Sequence, residues 1–204
     1  MKYKITEIYK SFQGEGTNTG KEMIFIRFAG CNLNCEWCDT NYSNFMEMRL
    51  NRIVNKVGLL SRGTCKWVLL TGGEPTIQGL YPLVKELKNQ QFYVAIETNG
   101  TNPIHYYFHL NYISVSPKPR IPVYKIRVDK ANEVRVVNTN FLTTYYITNI
   151  EKKIQAKDYY ISPLETEGSF NIYNSLALLN VLNKRKEGKQ WRISLQMHKI
   201  ASIR

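Results

Sequence analysis

A mixed α/β fold, with mostly parallel strands closing into a partial (reduced) β/α barrel, is predicted by three observations. Short apolar runs rich in β-branched and aromatic residues recur along the chain, segments of helical spacing lie between several of them, and the 204 residues show no internal repeat or linker. That length suits one catalytic domain, residues 1–204, with a core large enough to stand without disulfide staples.

The strands are expected at Met23–Phe28, Trp67–Leu70, Tyr93–Ile96, Tyr112–Val115, Val134–Val137, Tyr159–Ile161 and Ile193–Leu195. Each is short and rich in β-branched or aromatic residues, which reads as a strand. Helices are expected at Met46–Leu60, Leu80–Lys88 and Ile172–Lys186. The alternating order favours right-handed crossovers between parallel neighbours. The residues at the carboxyl ends of such strands, and the loops that follow, face the ligand site. Arg120–Lys130 is basic and carries Pro122, and Thr139–Lys157 has weak periodicity, so no element is assigned in either.

The formal charge of +12 is scattered, with small groups such as Lys152–Lys153 and Lys184–Lys186. It reads as a solvated basic face that would favour an anionic substrate, not as a nucleic-acid interface. No run of about 18 apolar residues occurs, and MKYKITEIYK lacks the apolar core of a secretion signal. A soluble, cytoplasmic protein with no membrane partner is expected.

Three of the four cysteines, Cys31, Cys35 and Cys38, follow the first of these strands with the spacing C-x3-C-x2-C. Thiols this close in sequence suit metal binding better than disulfides that join distant segments. Three thiolates on a four-iron cube leave one iron open, as a catalytic zinc keeps an open position. The competing reading is a zinc knuckle completed by Cys65 or a histidine. Cys65 fits no ligand spacing and reads as an ordinary buried thiol. After the Trp67–Leu70 strand comes Thr71-Gly72-Gly73-Glu74-Pro75, where two glycines let backbone approach a ligand and Glu74 supplies an acceptor.

The cysteine spacing, with Trp37 before the last cysteine, resembles the signature of the radical S-adenosylmethionine superfamily. The Gly72-Gly73-Glu74-Pro75 loop stands one β/α unit later, as in that superfamily. The resemblance implies a 4Fe-4S cluster on Cys31, Cys35 and Cys38, and S-adenosylmethionine held by Trp37, Gly72, Gly73 and Glu74. Ser116 and Lys118, in Ser-Pro-Lys-Pro, are similar to positions that contact the carboxylate or ribose of S-adenosylmethionine.

Further segments narrow the likeness: Ser11-Phe12-Gln13-Gly14-Glu15-Gly16, Arg27, Cys38-Asp39-Thr40, Glu97-Thr98-Asn99-Gly100 and Trp191–Lys199. Together they resemble the 7-carboxy-7-deazaguanine synthase family. That resemblance implies conversion of 6-carboxy-5,6,7,8-tetrahydropterin to 7-carboxy-7-deazaguanine with loss of ammonia, on the route to deazapurines such as queuosine. It implies substrate contacts from Gln13, Gly14, Glu15, Arg27, Glu97 and His198, and a magnesium ion on Thr40. It also implies a homodimer, reduced by a donor such as flavodoxin or ferredoxin. Gln13, Glu15 and Glu97 suit the N–H groups of a pterin edge, and Arg27 suits a carboxylate through paired contacts. Met197 stands where the family commonly has threonine. Two rivals stay open. An activase of a glycyl-radical enzyme would lack the Gln-Gly-Glu-Gly start, and an iron–sulfur regulator binding nucleic acid would not need the Gly-Gly-Glu-Pro loop.

Overall fold

The computed structural model describes residues 1–38 and 44–203. The chain opens on β1 (Lys2–Phe12) and β2 (Glu22–Phe28), then β3 (Met46–Arg49), which runs straight into α1 (Leu50–Ser61). There follow β4 (Trp67–Gly72), α2 (Tyr81–Asn89), β5 (Tyr93–Thr98), β6 (Tyr112–Val115), β7 (Lys130–Asn138), α3 (Thr144–Lys153) and β8 (Gln155–Pro163). A small hairpin, β9 (Glu165–Thr166) and β10 (Ser169–Phe170), precedes α4 (Ile172–Asn183), β11 (Trp191–Ile193) and the short α5 (Met197–Ile200). Short 3-10 turns lie between several of these elements.

Nine strands form one sheet in the order β11-β8-β7-β6-β5-β4-β2-β1-β3. From β2 to β11 every pairing is parallel, whereas β1 pairs antiparallel with both β2 and β3. The order ends on β3 and β11, so the sheet does not close on itself.

Period-2 alternation assigns the two faces different work. One face carries Ile24, Ile26, Phe28, Val68, Leu70, Val94, Ile96, Val115, Val134, Val136 and Ile161, all buried in one cluster with Ile53, Val57, Leu83, Leu87, Ile147, Ile150 and Leu182 from the helices. Burying each such side chain contributes roughly 1.5–3 kcal/mol relative to exposure, so this helix-covered face carries most of the fold's stability. The other face is apolar only toward the amino ends of the strands, where Met23, Phe25, Leu69 and Ala95 pack with Tyr9, Trp67 and Tyr112. Toward the carboxyl ends the same alternation brings Arg27, Thr71, Glu97, Ser114, Glu133 and Arg135.

Three expectations are corrected. Met46–Leu60 is not one helix, because Met46–Arg49 pairs with β1 before α1 begins. The last strand lies at Trp191–Ile193, two residues earlier than Ile193–Leu195, and α4 ends at Asn183, short of Lys186. The unassigned Thr139–Lys157 holds α3, whose first turn is capped by Thr143 accepting from the Tyr146 N–H at 3.1 Å.

Candidate active site

The carboxyl ends of the strands surround a cavity of about 470 Å³. Its wall gathers most of the residues singled out from the sequence: Gln13, Gly14, Glu15 and Arg27 at one side; Cys31, Cys35, Trp37 and Cys38 from the loop after β2; Gly72 and Gly73 after β4; and Glu97, Ser116, Lys118 and His198. Thr40 lies outside the described residues.

The cysteine loop and the glycine loop are locked together by backbone. Gly73 N–H donates to Phe28 O at 3.0 Å, and Glu74 N–H donates to Gly30 O at 2.8 Å. A Cβ on Gly73 would stand 1.9 Å from Gly30 O, so the approach requires glycine. Cys31 and Cys35 are partly buried and Cys38 is exposed. Burial pushes the Cys31 and Cys35 thiols up, opposed at Cys31 by the Leu33 N–H and at Cys35 by the charge of Lys118.

The three thiols therefore face one cavity without converging on one point. Among the described residues, no group of three or more His, Cys, Asp or Glu is gathered to hold a single ion. Three cysteines on one cavity wall could serve three corners of a four-iron iron–sulfur cube. The donor set, soft thiolates from three cysteines, is that of such a cluster.

Glu74 is held by donors of the protein itself. It is fully buried and absent from the cavity wall. One carboxylate oxygen accepts from Thr76 N–H at 3.1 Å, Thr76 Oγ1 at 2.6 Å and Thr98 Oγ1 at 2.7 Å, and the other accepts from Asn99 N–H at 2.7 Å. A buried carboxylate with that many donors is satisfied without a ligand, so Glu74 ties the glycine loop to the end of β5. Gly72, Gly73, Ser116 and Lys118 stay in the wall, with Lys118 Nζ donating to Ser116 Oγ at 2.9 Å.

Opposite chemistry is held on the inner face. Arg27 Nε donates to Glu7 at 2.8 Å and Nη2 to Tyr9 Oη at 3.0 Å. Burial would lower the Arg27 pKa, but Tyr9 and Glu7 outweigh it and the guanidinium stays charged. The charge in the apolar strand is thus paired on one edge, while the side chain still lines the cavity.

Gln13 joins the Glu97 carboxylate to the backbone of Glu15: its amide donates to Glu97 at 3.0 Å and its carbonyl accepts the Glu15 N–H at 3.1 Å. Glu97 also accepts from Thr71 Oγ1 at 2.9 Å and Arg135 Nη2 at 2.8 Å. Burial alone would raise the Glu97 pKa, yet Arg135, Thr71 and Gln13 hold it below the usual carboxylate range. The last segment of the chain completes the wall. Ser194 Oγ accepts from Gly16 N–H at 2.8 Å, and Met197 N–H donates to Gly14 O at 2.9 Å. A Cβ on Gly14 would lie 2.2 Å from His198 Nδ1, so the glycine admits the histidine.

Arg135 and Ser162 are among the wall residues that were not anticipated. Arg135 is 6% exposed and carries the counter-charge of the acidic group. Ser162 is 3% exposed, lines the cavity, and its hydroxyl has no hydrogen-bond partner among the described residues. Cys65 is buried beside the Glu22 and Trp67 carbonyls, away from the site, as expected.

Comparison with known proteins agrees with this geometry. Residues 25–117, which include the three cysteines and the glycine loop, match the Radical SAM superfamily. The 7-carboxy-7-deazaguanine synthase of Haemophilus influenzae is 41% identical over 98% of this chain and 94% of its own length. That of Neisseria meningitidis is 39% identical with the same coverage, and that of Bacteroides thetaiotaomicron is 34% identical over the whole of both chains. The crystal structure of QueE from Escherichia coli superimposes with a TM-score of 0.74 at 23% identity, covering 97% of this chain and 95% of that one, and so shares the fold. With three thiols and a glycine loop on one cavity, and relatives matched over almost their full length, this chain is a radical S-adenosylmethionine enzyme of the 7-carboxy-7-deazaguanine synthase family.

Proposed function

We propose that the enzyme converts 6-carboxy-5,6,7,8-tetrahydropterin to 7-carboxy-7-deazaguanine, expelling ammonia. The observation that carries the reading is the pairing of opposite wall chemistries in one cavity: the carboxylates of Glu15 and Glu97 beside the Gln13 amide, and the guanidinium of Arg27. A pterin has matching ends. Its 2-amino-4-oxo edge presents N–H donors that need acceptors, and its carboxylate needs a cation.

Cys31, Cys35 and Cys38 would hold the cluster, and Gly72 and Gly73 would hold S-adenosylmethionine; together these groups would supply hydrogen-atom abstraction. The chain's own residues decide which hydrogen. Glu15 and Glu97 take the pyrimidine edge, beside Gln13, whose amide donates to Glu97. Arg27, its plane fixed by Glu7 and Tyr9, takes the carboxylate at the other end. Gln196, His198, Lys199 and Ile203 of the final segment add to the cavity wall, where excluding water would guard a reactive radical. His198, seated on Gly14, adds a hydrogen-bonding group to the same wall.

The rest of the reading follows the family resemblance. A magnesium ion would use Thr40 with substrate oxygens and water, since one hydroxyl is far short of an octahedral shell. The chain would act as one catalytic unit in a cytoplasmic homodimer, reduced by a donor such as flavodoxin or ferredoxin. No helix among the described residues is long and apolar enough to cross a membrane.

Anaerobic incubation of the cluster-loaded, reduced enzyme with carboxytetrahydropterin and S-adenosylmethionine should yield the deazaguanine acid, identified by mass spectrometry. Arg27→Ala should weaken pterin binding by about 30-fold or more, the worth of a charge-assisted pair, and leave S-adenosylmethionine binding near that of the wild type. No product from fully loaded enzyme would reject the substrate, and equal losses for both ligands would reject the role of Arg27.

A further inference from the structure

Three carboxylates meet one guanidinium at the base of the cavity. Arg135 Nη2 lies 2.9 Å from Glu15 Oε2 and 2.8 Å from Glu97 Oε1, so one nitrogen sits between two carboxylates that come from different segments. Nη1 lies 3.3 Å from Glu133 Oε1. Glu15 and Glu97 line the large cavity and Glu133 does not. Glu133 is 2% exposed and held from behind: Ser114 Oγ donates at 2.8 Å, Tyr112 Oη at 2.9 Å and Thr17 N–H at 2.8 Å. The guanidinium is therefore anchored at its back and directs its front nitrogen at the two carboxylates of the wall.

We propose that Arg135 is a positioning residue for the reaction, fixing the separation of Glu15 and Glu97 so that their oxygens match the N–H edge of the substrate heterocycle. This rests on the pterin reading of the cavity and goes beyond it, because it assigns the recognition geometry to a residue that acts through two others. The charge count supports it. Three carboxylates and one guanidinium leave an excess of negative charge, which a donor-rich edge complements. Without Arg135, Glu15 and Glu97 would repel across a shared, mostly buried space, and one would move away or take a proton. A protonated carboxyl would set a donor against the donors of the ligand. Charges that close in a water-poor site are far stronger than on a surface.

Lysine cannot replace the arginine fully. One ammonium could stand between Glu15 and Glu97, but it could not hold the planar two-nitrogen arrangement that also engages Glu133. This predicts a graded series.

The test uses cluster-loaded protein under anaerobic conditions, with calorimetric titration of 6-carboxypterin as an unreactive probe and, separately, of S-adenosylmethionine. Arg135→Met should weaken the pterin by about 100-fold or more, as expected for breaking a buried pair, with S-adenosylmethionine affinity unchanged within about threefold. Arg135→Lys should lose about tenfold for the pterin, and in turnover should raise KM while kcat stays near wild type, as for an interaction made equally in ground and transition states. If Arg135→Met does not fold, the double variant R135M/E133Q removes the buried carboxylate behind it and should show the same pterin-selective loss. Should only R135K fold, its selective loss decides.

Equal losses for both ligands would make Arg135 merely structural. Normal pterin binding by R135M and R135K, in a wild type that turns the pterin over, would overturn the positioning role alone. A wild type that neither binds nor converts the pterin would overturn the reading beneath it as well.

Discussion

Glu74 shows how a carboxylate in a loop motif can be engaged by the protein's own donors. Its carboxylate is fully buried and takes donors from Thr76, Thr98 and Asn99. Glu74→Gln keeps the shape but turns one acceptor into an amide donor facing donors. The expected cost is about 2 kcal/mol, in the range of a buried charged hydrogen bond, and a fall in Tm of roughly 4–8 °C for a chain of this size. Thermal unfolding followed by circular dichroism checks the loss, and titration of both ligands checks its origin. A variant with wild-type Tm that fails only to bind S-adenosylmethionine would show that Glu74 meets the ligand after all. Arg135 teaches the reverse lesson. The sequence Glu133-Val134-Arg135-Val136 places two charges on one face of a strand whose other face is apolar, and a charge there needs a buried partner or a ligand. The same argument holds for Arg27, between Ile26 and Phe28 in β2, and applied to β7 it points to Arg135.

Among elements, the central parallel strands were legible because both faces are covered and each reads as an apolar run; α1 was legible in part and α2 almost entirely. The first strand was not. In β1 the buried residues are Tyr3, Ile5 and Ile8, and the register shifts between Ile5 and Glu7, so the alternation slips by one and the pattern dissolves among lysines. Strand β3 hid inside a helical pattern because Met46, Met48 and Leu50 fit either period. Helix α3 buries Tyr146, Ile147 and Ile150, a sound helical face, but its threonines, tyrosines and isoleucines are mediocre helix formers. Of the site, the loops carrying Cys31–Cys38 and Gly72–Gly73 could be read, while their contact could not. That contact supports a prediction at this scale. Gly73→Ala would drive a Cβ into Gly30 O and push the cysteine loop off β2. Iron and sulfide per chain after reconstitution should fall by half or more, although all three thiols are intact, as backbone conflicts of this kind displace the segment they touch. Full cluster loading with normal absorbance would show that the two loops can separate without loss.

The whole molecule brings the end of β1, the ends of β5 and β7 and the final segment from Ser194 onward to one place, so the site cannot form until the sheet is complete. Its electrostatics should therefore appear in global unfolding. Glu97 is held below the usual carboxylate range: burial works against this, and Arg135, Thr71 and Gln13 prevail. As pH falls, the unfolded chain takes up a proton at this glutamate near about 4.3, while the folded chain resists until lower pH. The unfolded state then binds more protons, so stability from Glu97 is fully present above that range and declines through it toward the folded pKa. The chain's formal +12 charge adds a general acid destabilisation, which is common to wild type and variant and cancels in their difference. Glu97→Gln should lower stability by about 2 kcal/mol near pH 7, and the gap should narrow steadily below about pH 4. Unfolding of the full-length chain without its cluster, so that acid loss of iron does not intervene, gives the comparison. A gap that stays constant from neutral to acid pH would mean that Glu97 contributes shape to this wall and not charge.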